Sequence, residues 1–278
     1  MKKFRFAIIA LLVLAFSLRA AAAIPAGSLL DGVHPGPDGR IDVITMFPHQ
    51  DDETIFVGGT ILKMKTEDPR VRVHIVCFTL GELSGAMKTL KITPEFQGKI
   101  RTKELEAAAT VLKADEVIQL DYHDQGLAKA DYNQLVQKAL DVMEKTQAAV
   151  VVTYGPDGMS GHIDHRTLSR AVTDAFSKSS AQKLYYAALP ASLGAIYSII
   201  SKHGYTLADF KVDIRPYKKL KKLAMCEHTT QRFFSGTFAS MDTGINGEQD
   251  FEWFKLAGQH KYIEDAALYN TPNHGGSK

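Results

Sequence analysis

This chain of 278 residues has the composition of an ordinary soluble globular protein, with 45% hydrophobic and 23% charged residues. That composition excludes collagen-like, low-complexity and coiled-coil chains, and the length allows one large or two small domains. The formal charge of +2 becomes −2 without the four basic residues of positions 1–22. A mildly acidic remainder speaks against a general nucleic-acid-binding protein.

The N-terminus has the three-part layout of a cleaved secretory signal. A basic start at Lys2, Lys3 and Arg5 precedes an apolar run at positions 7–16 and small residues at positions 20–23. Because the apolar run is too short to span a membrane, we predict a signal peptide over residues 1–22 and one mature domain over residues 23–278. The protein would then be secreted or periplasmic, without stable membrane insertion. The alternative is an uncleaved membrane anchor.

Apolar runs alternate with helical patterns along the rest of the chain. Strands are predicted at 42–47, 71–79, 117–121, 149–154 and 183–189, with a late candidate at 211–214. Helices are predicted at 54–66, 98–113, 132–145, 166–177 and 216–228. Nearly continuous apolar strands that alternate with helices predict a single Rossmann-like α/β domain, in which helices flank a mostly parallel sheet.

One histidine and three acidic residues follow the first predicted strand. They are His49, Asp51, Asp52 and Glu53, and they lie at the carboxyl edge of the sheet, where ligands bind in open α/β folds. Neighbouring carboxylates repel one another unless water or a cation lies among them, so the cluster predicts a metal site. The alternative is an acidic cap of the next helix, but a cap needs one aspartate and no histidine.

A second histidine cluster follows the fourth predicted strand. His162 and His165 are three residues apart, so they share a face if a helix begins there. The carboxyl ends of parallel strands meet at one edge of a sheet, so the two clusters can converge. A catalytic zinc site needs three protein ligands and an open position, and His49, Asp52 and one of these histidines supply that set. Taken alone, the second cluster would equally fit a capped turn.

The two motifs resemble the signature of the LmbE-like, or PIG-L-like, zinc-dependent N-acetylglucosaminyl deacetylases. Residues 48–53 are similar to that family's Pro-His-Pro-Asp-Asp-Glu motif, with Gln50 in place of the second proline, and residues 161–165 are similar to its Gly-His-x-Asp-His motif. The change at Gln50 removes some stiffness from the loop but no ligand. Weaker likenesses extend the resemblance over residues 41–235, and they lie at positions 79–82, 101–104, 120–122 and 224–231.

The resemblance implies a role for each residue of the two motifs. The metal ligands are expected to be His49, Asp52 and His165. Asp51 is expected to be the general base, and His162 either the acid or the group that stabilises the developing oxyanion. Because Asp51 adjoins a ligand, its carboxylate can reach the reacting water without filling the coordination sphere.

Three residues outside this set are expected to support it. Asp164 is placed to orient a ligand imidazole, and Arg101 and His228 are expected to contact the substrate. The alternative for Arg101 is an ion pair with Glu104 on a solvated helix face. The alternative for His228 is a hydrogen-bonded surface pair with Gln231.

The implied reaction is hydrolysis of the N-acetyl group of an N-acetylglucosamine-type sugar or glycoconjugate, with release of acetate and a free amine. Zn²⁺ is the expected cofactor, although another divalent metal fits the same ligands. The alternatives are an amidase acting on another small amide or amino-sugar conjugate, and a metal-containing glycan-binding protein without catalysis. The identity of the sugar, the oligomeric state and a disulfide between Cys77 and Cys226 stay open.

Overall fold

The computed structural model of the protein describes residues 24–194, 202–231 and 250–260. The predicted signal peptide, residues 1–22, lies outside these ranges. Within them, the helices fall short of the length and apolarity that a membrane crossing requires.

In the described part of the chain, seven strands form one sheet. They are β1 Ile41–Phe47, β2 Val71–Thr79, β3 Glu116–Tyr122, β4 Val150–Tyr154, β5 Lys183–Ala187, β6 Phe210–Asp213 and β7 Phe251–Gln259. Their order across the sheet is β3-β2-β1-β4-β5-β7-β6. Strands β1 to β5 run parallel, and β7 pairs antiparallel with both β5 and β6. The prediction of an α/β domain with a mostly parallel sheet is confirmed.

Helices cover both faces of the sheet. They are α1 Asp52–Phe56, α2 Gly58–Glu67, α3 Gly85–Leu90, α4 Pro94–Leu112, α5 Tyr132–Lys145, α6 Ile163–Phe176 and α7 Lys218–Glu227. One core lies between the sheet and the buried faces of α2, α4 and α7, and the other lies under α5 and α6. Because strand side chains alternate between these two cores, successive residues of the central strands are both apolar.

The predicted helix at 54–66 is divided in two at Val57, whose φ and ψ of −134° and −6° are not helical. The carboxylate of Glu252 accepts hydrogen bonds from the backbone N–H groups of Gly59 at 2.9 Å and Thr60 at 2.8 Å. It therefore caps the new start of α2. Glu252 lies 192 residues from Thr60 in the chain, so the side chain that caps α2 could not be identified from the local sequence pattern.

The strand order places a crevice at the centre of the sheet. Strands β1 and β4 are neighbours, but the chain continues from β1 towards β2 on one side and from β4 towards β5 on the other. In open α/β sheets such a reversal leaves a gap at the carboxyl ends of the two strands, and ligands bind there. The segments after β1 and β4 carry the two histidine motifs.

Candidate functional site

The three predicted ligands converge at the carboxyl ends of β1 and β4. His49 Nδ1 lies 3.0 Å from His165 Nε2. Asp52 Oδ2 lies 3.7 Å from the His49 nitrogen and 3.8 Å from the His165 nitrogen. All three side chains are largely buried, with at most 14% of their surface exposed. One atom of each residue thus faces a common point.

The other hydrogen bonds of the two imidazoles test whether these residues fit a metal ion. His165 Nδ1 lies 3.0 Å from the Gly158 carbonyl oxygen, to which it donates, and His49 Nε2 lies 3.1 Å from Asp124 Oδ1. With these protons directed outward, the two inward nitrogens face each other as lone pairs and need a proton or a cation between them. Two imidazoles and one carboxylate are a common donor set for zinc. The residues therefore fit a divalent ion.

His162 lies at the edge of the same cluster. Its Nδ1 accepts a hydrogen bond from the backbone N–H of Asp164 at 3.2 Å and so caps α6. Burial lowers the pKa of His162, which favours a neutral ring with its proton on Nε2. Ring nitrogens of His49, His162 and His165 all lie within 4.8 Å of one another. His162 can therefore direct an N–H donor into the site.

Asp164 is fully buried behind His49. Its carboxylate accepts hydrogen bonds from the backbone N–H groups of Gln125 at 2.6 Å and Leu127 at 3.1 Å, and its Oδ2 lies 3.5 Å from His49 Nε2. The predicted orienting residue is thus placed against an imidazole of the cluster. That imidazole belongs to His49 on the other motif, not to the neighbouring His165.

Asp51 adjoins the cluster in a strained backbone conformation, with φ of 132°. Such strain is concentrated at functional sites, where the surrounding structure holds it. Its side-chain Oδ1 lies 3.4 Å from Arg101 Nη2. Burial raises the pKa of Asp51 to about 6, and the positive charge of Arg101 opposes this shift. A carboxylate with such a pKa is suited to accept a proton near neutral pH.

Arg101 is buried, so the alternative of a solvated ion pair with Glu104 is wrong. Its Nη2 donates to the backbone carbonyl of Gln50, and its Nε lies 3.2 Å from Gln50 Oε1. Glu104 is also buried, and it accepts hydrogen bonds from both the backbone and the side chain of Thr230. Arg101 lines the pocket in front of Asp51.

The structure does not bring His228 to the pocket. Its side chain is fully buried, and its Nε2 lies 3.5 Å from Glu53 Oε1. Neither ring nitrogen has a hydrogen-bond partner among the described residues. Gln231, three residues further along, lines the pocket instead. The surface pair suggested as the alternative is excluded by the same burial.

Two residues that contact the cluster were not predicted from the sequence. Asp124 follows β3 and lies against His49, and the hydroxyl of Tyr154, the last residue of β4, donates to Asp52 Oδ1 at 2.6 Å. Tyr154 ends β4 and Asp124 lies two residues beyond the end of β3, so both lie at the same edge of the sheet as the motifs, and this position was the signal that could have found them.

Carboxylates dominate the electrostatics around His49. Burial lowers the pKa of His49, but its contacts with Asp124 and Asp164 and the charge of Asp52 raise this pKa overall to about 10. Burial lowers the pKa of His165 well below its usual range. The carboxylates around the centre therefore attract positive charge, and a cation bound there would replace the proton on His49, so that both ligand imidazoles would be neutral.

The cluster opens into a pocket of about 350 Å³. This volume lies at the lower end of the range for small-molecule sites. The pocket wall includes His49, Asp51, Arg101, His162 and Gln231. A ligand in the pocket would reach the expected metal site, the expected base Asp51 and the expected acid His162 at once.

The chain is similar in sequence to a described family and to several named relatives. Residues 44–176 match the family described as PIG-L: GlcNAc-PI de-N-acetylase. A probable N-acetyl-alpha-D-glucosaminyl L-malate deacetylase 2 from Bacillus cereus is 31% identical over 137 residues, which are 49% of this chain and 61% of that relative. A 1D-myo-inositol 2-acetamido-2-deoxy-alpha-D-glucopyranoside deacetylase from Saccharomonospora viridis is 28% identical over 261 residues, with coverage of 80% of this chain and 97% of that relative.

Solved structures share the fold. The N,N'-diacetylchitobiose deacetylase from Pyrococcus horikoshii has a TM-score of 0.60 at 21% identity, and the match covers 77% of this chain and 83% of that one. The teicoplanin deacetylase Orf2 in its zinc-inhibited form has a TM-score of 0.57 at 15% identity, with coverage of 78% and 98%. At these identities the likeness establishes the architecture alone.

Proposed function

We propose that this protein, whose residues 44–176 match the PIG-L family, is a zinc-dependent hydrolase that removes the N-acetyl group from an N-acetylglucosamine-type sugar. The observation that carries the proposal is the convergence of His49, Asp52 and His165 beside Asp51 in one pocket. The Bacillus cereus and Saccharomonospora viridis relatives, both named as deacetylases of N-acetylglucosaminyl compounds, support the substrate class.

The metal would be held by His49 Nδ1, His165 Nε2 and Asp52 Oδ2. A zinc ion in such a site supplies Lewis acidity and lowers the pKa of water to ~7. Tyr154 fixes Asp52 through a hydrogen bond of 2.6 Å, and Asp124 fixes His49. These contacts hold the donor atoms in position before the substrate arrives.

Asp51 and His162 move the protons. The Asp51 carboxylate accepts the proton of the attacking water, while Arg101 keeps that carboxylate in place. His162 Nε2–H faces the site because its Nδ1 accepts from the backbone, so it donates to the oxygen on which negative charge develops. The water oxygen bonds to the acetyl carbon, the C–N bond breaks, and the amine takes up the proton that Asp51 accepted, so that acetate and the free amino sugar leave and the Asp51 carboxylate is regenerated.

The test is acetate release from N-acetylglucosamine and its oligomers by the purified protein with zinc. Asp51→Asn should lower kcat by ~10²–10⁴-fold, because it removes the base, while the zinc content is unchanged. Asp141→Asn, an exposed aspartate on α5, is the matched control and should retain full activity. Release that persists in Asp51→Asn would remove this residue as the base. No release from any sugar would overturn the deacetylase proposal.

We also propose that the protein acts outside the cytoplasm, on the strength of the signal-like pattern in residues 1–22. Expression of the full chain in a bacterial host, followed by fractionation and N-terminal sequencing, tests this. A mature chain that begins at Ala23 in the exported fraction is the expected result. An intact N-terminus in the cytoplasmic fraction would contradict it.

A further inference from the structure

A second and larger groove opens beside the pocket. It has a volume of about 1110 Å³, against about 350 Å³ for the pocket, and it runs from the carboxyl ends of β2 and β3 to the first half of α4. The two spaces share Leu83, Asp124 and Gln125 as wall residues. A ligand whose acetamido group lies in the pocket can therefore extend past Asp124 into the groove.

The groove carries more acidic than basic side chains. Its wall holds three basic side chains, Lys99, Lys129 and His123, and four carboxylates, Glu82, Glu95, Asp121 and Asp124, and His123 lies 2.9 Å from Glu82. One of the lysines, Lys99, forms an ion pair of 2.6 Å with Glu95. The net negative charge of the wall would repel an anionic group, whereas an uncharged group would not be repelled. The charge of the wall thus selects against a malate or a phosphate attached to the amino sugar.

The rest of the groove suits the two kinds of surface that a sugar presents. Leu80, Leu83, Pro94 and Tyr122 provide apolar wall, and the Leu83 side chain is exposed. The Tyr122 ring stacks on Phe78 with centroids 6.2 Å apart, so its orientation is fixed. Apolar walls with a few placed polar groups hold the C–H faces and hydroxyls of a ligand at once.

We propose that this groove binds additional uncharged sugar units joined to the N-acetylglucosamine residue, so that the substrate class is a neutral glycan of two or more units. This inference rests on the proposed function, because the pocket must hold the acetylated unit. The groove adds a requirement for what is joined to that unit. Neutral sugars should bind there better than a malate or a phosphate joined to N-acetylglucosamine.

Two threonines of α4 provide a matched pair of variants. Each hydroxyl donates to a carbonyl four residues earlier, Thr102 to Gly98 at 3.1 Å and Thr110 to Glu106 at 3.0 Å. Thr102 lines the groove, whereas Thr110 is exposed about two turns further along the helix. Thr102→Trp therefore fills the groove, and Thr110→Trp makes the same change outside it. Ala130→Trp fills the groove from the segment after β3, should Thr102→Trp fail to fold.

The measured quantity is the ratio of kcat/KM for triacetylchitotriose to kcat/KM for N-acetylglucosamine. We expect a ratio of at least about ten for the wild type and Thr110→Trp, which one well-packed sugar face would supply. Thr102→Trp and Ala130→Trp should lower it towards one. A ratio that both filling variants leave unchanged would overturn the inference, and so would equal turnover of N-acetylglucosaminyl malate and the trisaccharide.

Calorimetric binding of the trisaccharide separates this inference from the proposed function. If the wild type releases no acetate from any sugar, the deacetylase proposal fails, and binding alone decides the role of the groove. Weaker binding by Thr102→Trp than by Thr110→Trp would still support a glycan-binding groove. Equal binding by the two variants, or no binding by the wild type, would overturn it.

Discussion

Asp124 Oδ1 lies 3.1 Å from His49 Nε2, while the other nitrogen of the same ring faces His165. The backbone N–H of Asp124 is itself held by the Glu82 carboxylate, at 3.1 and 3.2 Å to its two oxygens. A carboxylate in this position fixes both the orientation and the tautomer of a ligand imidazole. Asp124→Ala should therefore weaken zinc binding by ~10–100-fold, measured by competition with a chelator.

Asp121→Ala is the control for Asp124→Ala. Asp121 is the penultimate residue of β3 and is exposed, so Asp121→Ala removes a nearby carboxylate that does not contact His49. Zinc affinity should stay at the wild-type value. If Asp124→Ala binds zinc as tightly as Asp121→Ala, the orienting role of Asp124 is refuted.

Gln50 connects Arg101, which lies beside the expected base Asp51, to strands of the sheet. Its fully buried side chain accepts from Arg101 Nε at 3.2 Å and donates to the Thr79 carbonyl at 2.9 Å and to Gln119 Oε1 at 3.0 Å. A Cβ at Gly81, whose φ is +60°, would collide with Gln50 Oε1. The residue that replaces the family's proline is thus a fixed hydrogen-bonding centre, and it orients the guanidinium beside Asp51.

We predict that Gln50→Leu lowers stability by about 1–3 kcal/mol, because it leaves buried polar partners unpaired. It should also lower kcat, because Arg101 loses a contact that fixes it beside Asp51. Urea unfolding and acetate release measure the two effects. Gln137→Leu, which removes an exposed glutamine bonded to Asp141 on α5, should change neither. Wild-type stability of Gln50→Leu would contradict the interpretation.

The sequence was sufficient to predict those parts of the structure that depend on local pattern and on the order of the strands and helices. The strands before His49 and before His162 are continuous apolar runs, so the parallel sheet and the meeting of the two motifs at its carboxyl edge could be predicted. Asp124 and Tyr154 were missed because their roles depend on contacts across neighbouring strand ends, which no spacing in the chain encodes. The burial of His228 against Glu53 likewise depends on the packing of α7.

Lys221 and Glu252 form an ion pair of 2.7 Å in which both side chains are at most 3% exposed. Lys221 Nζ also donates to the Ile55 carbonyl, and Glu252 caps α2. Removing one partner of a buried pair leaves an uncompensated charge, which typically costs about 3–5 kcal/mol. We expect Glu252→Gln to lower the free energy of unfolding by an amount of this order, measured with urea.

Glu95→Gln is the matched change at an exposed pair. Glu95 lies 2.6 Å from Lys99, but both side chains are at least 70% exposed, so its replacement should change the free energy of unfolding far less than Glu252→Gln does. Similar losses in Glu95→Gln and Glu252→Gln would show that burial does not strengthen the Lys221–Glu252 pair.

Cys77 and Cys226 are both free thiols in this structure, which bears on the disulfide that the sequence left open. Cys77 is buried in β2, and burial raises the pKa of its thiol well above the usual range. Because the thiolate is the reactive form, iodoacetamide at pH 8 should modify Cys226, which is partly exposed, and reach Cys77 only after unfolding in urea. Peptide mapping by mass spectrometry measures both sites in one sample. Equal labelling of the two cysteines in the folded protein, or a Cys77–Cys226 disulfide in the exported protein, would contradict the buried environment of Cys77.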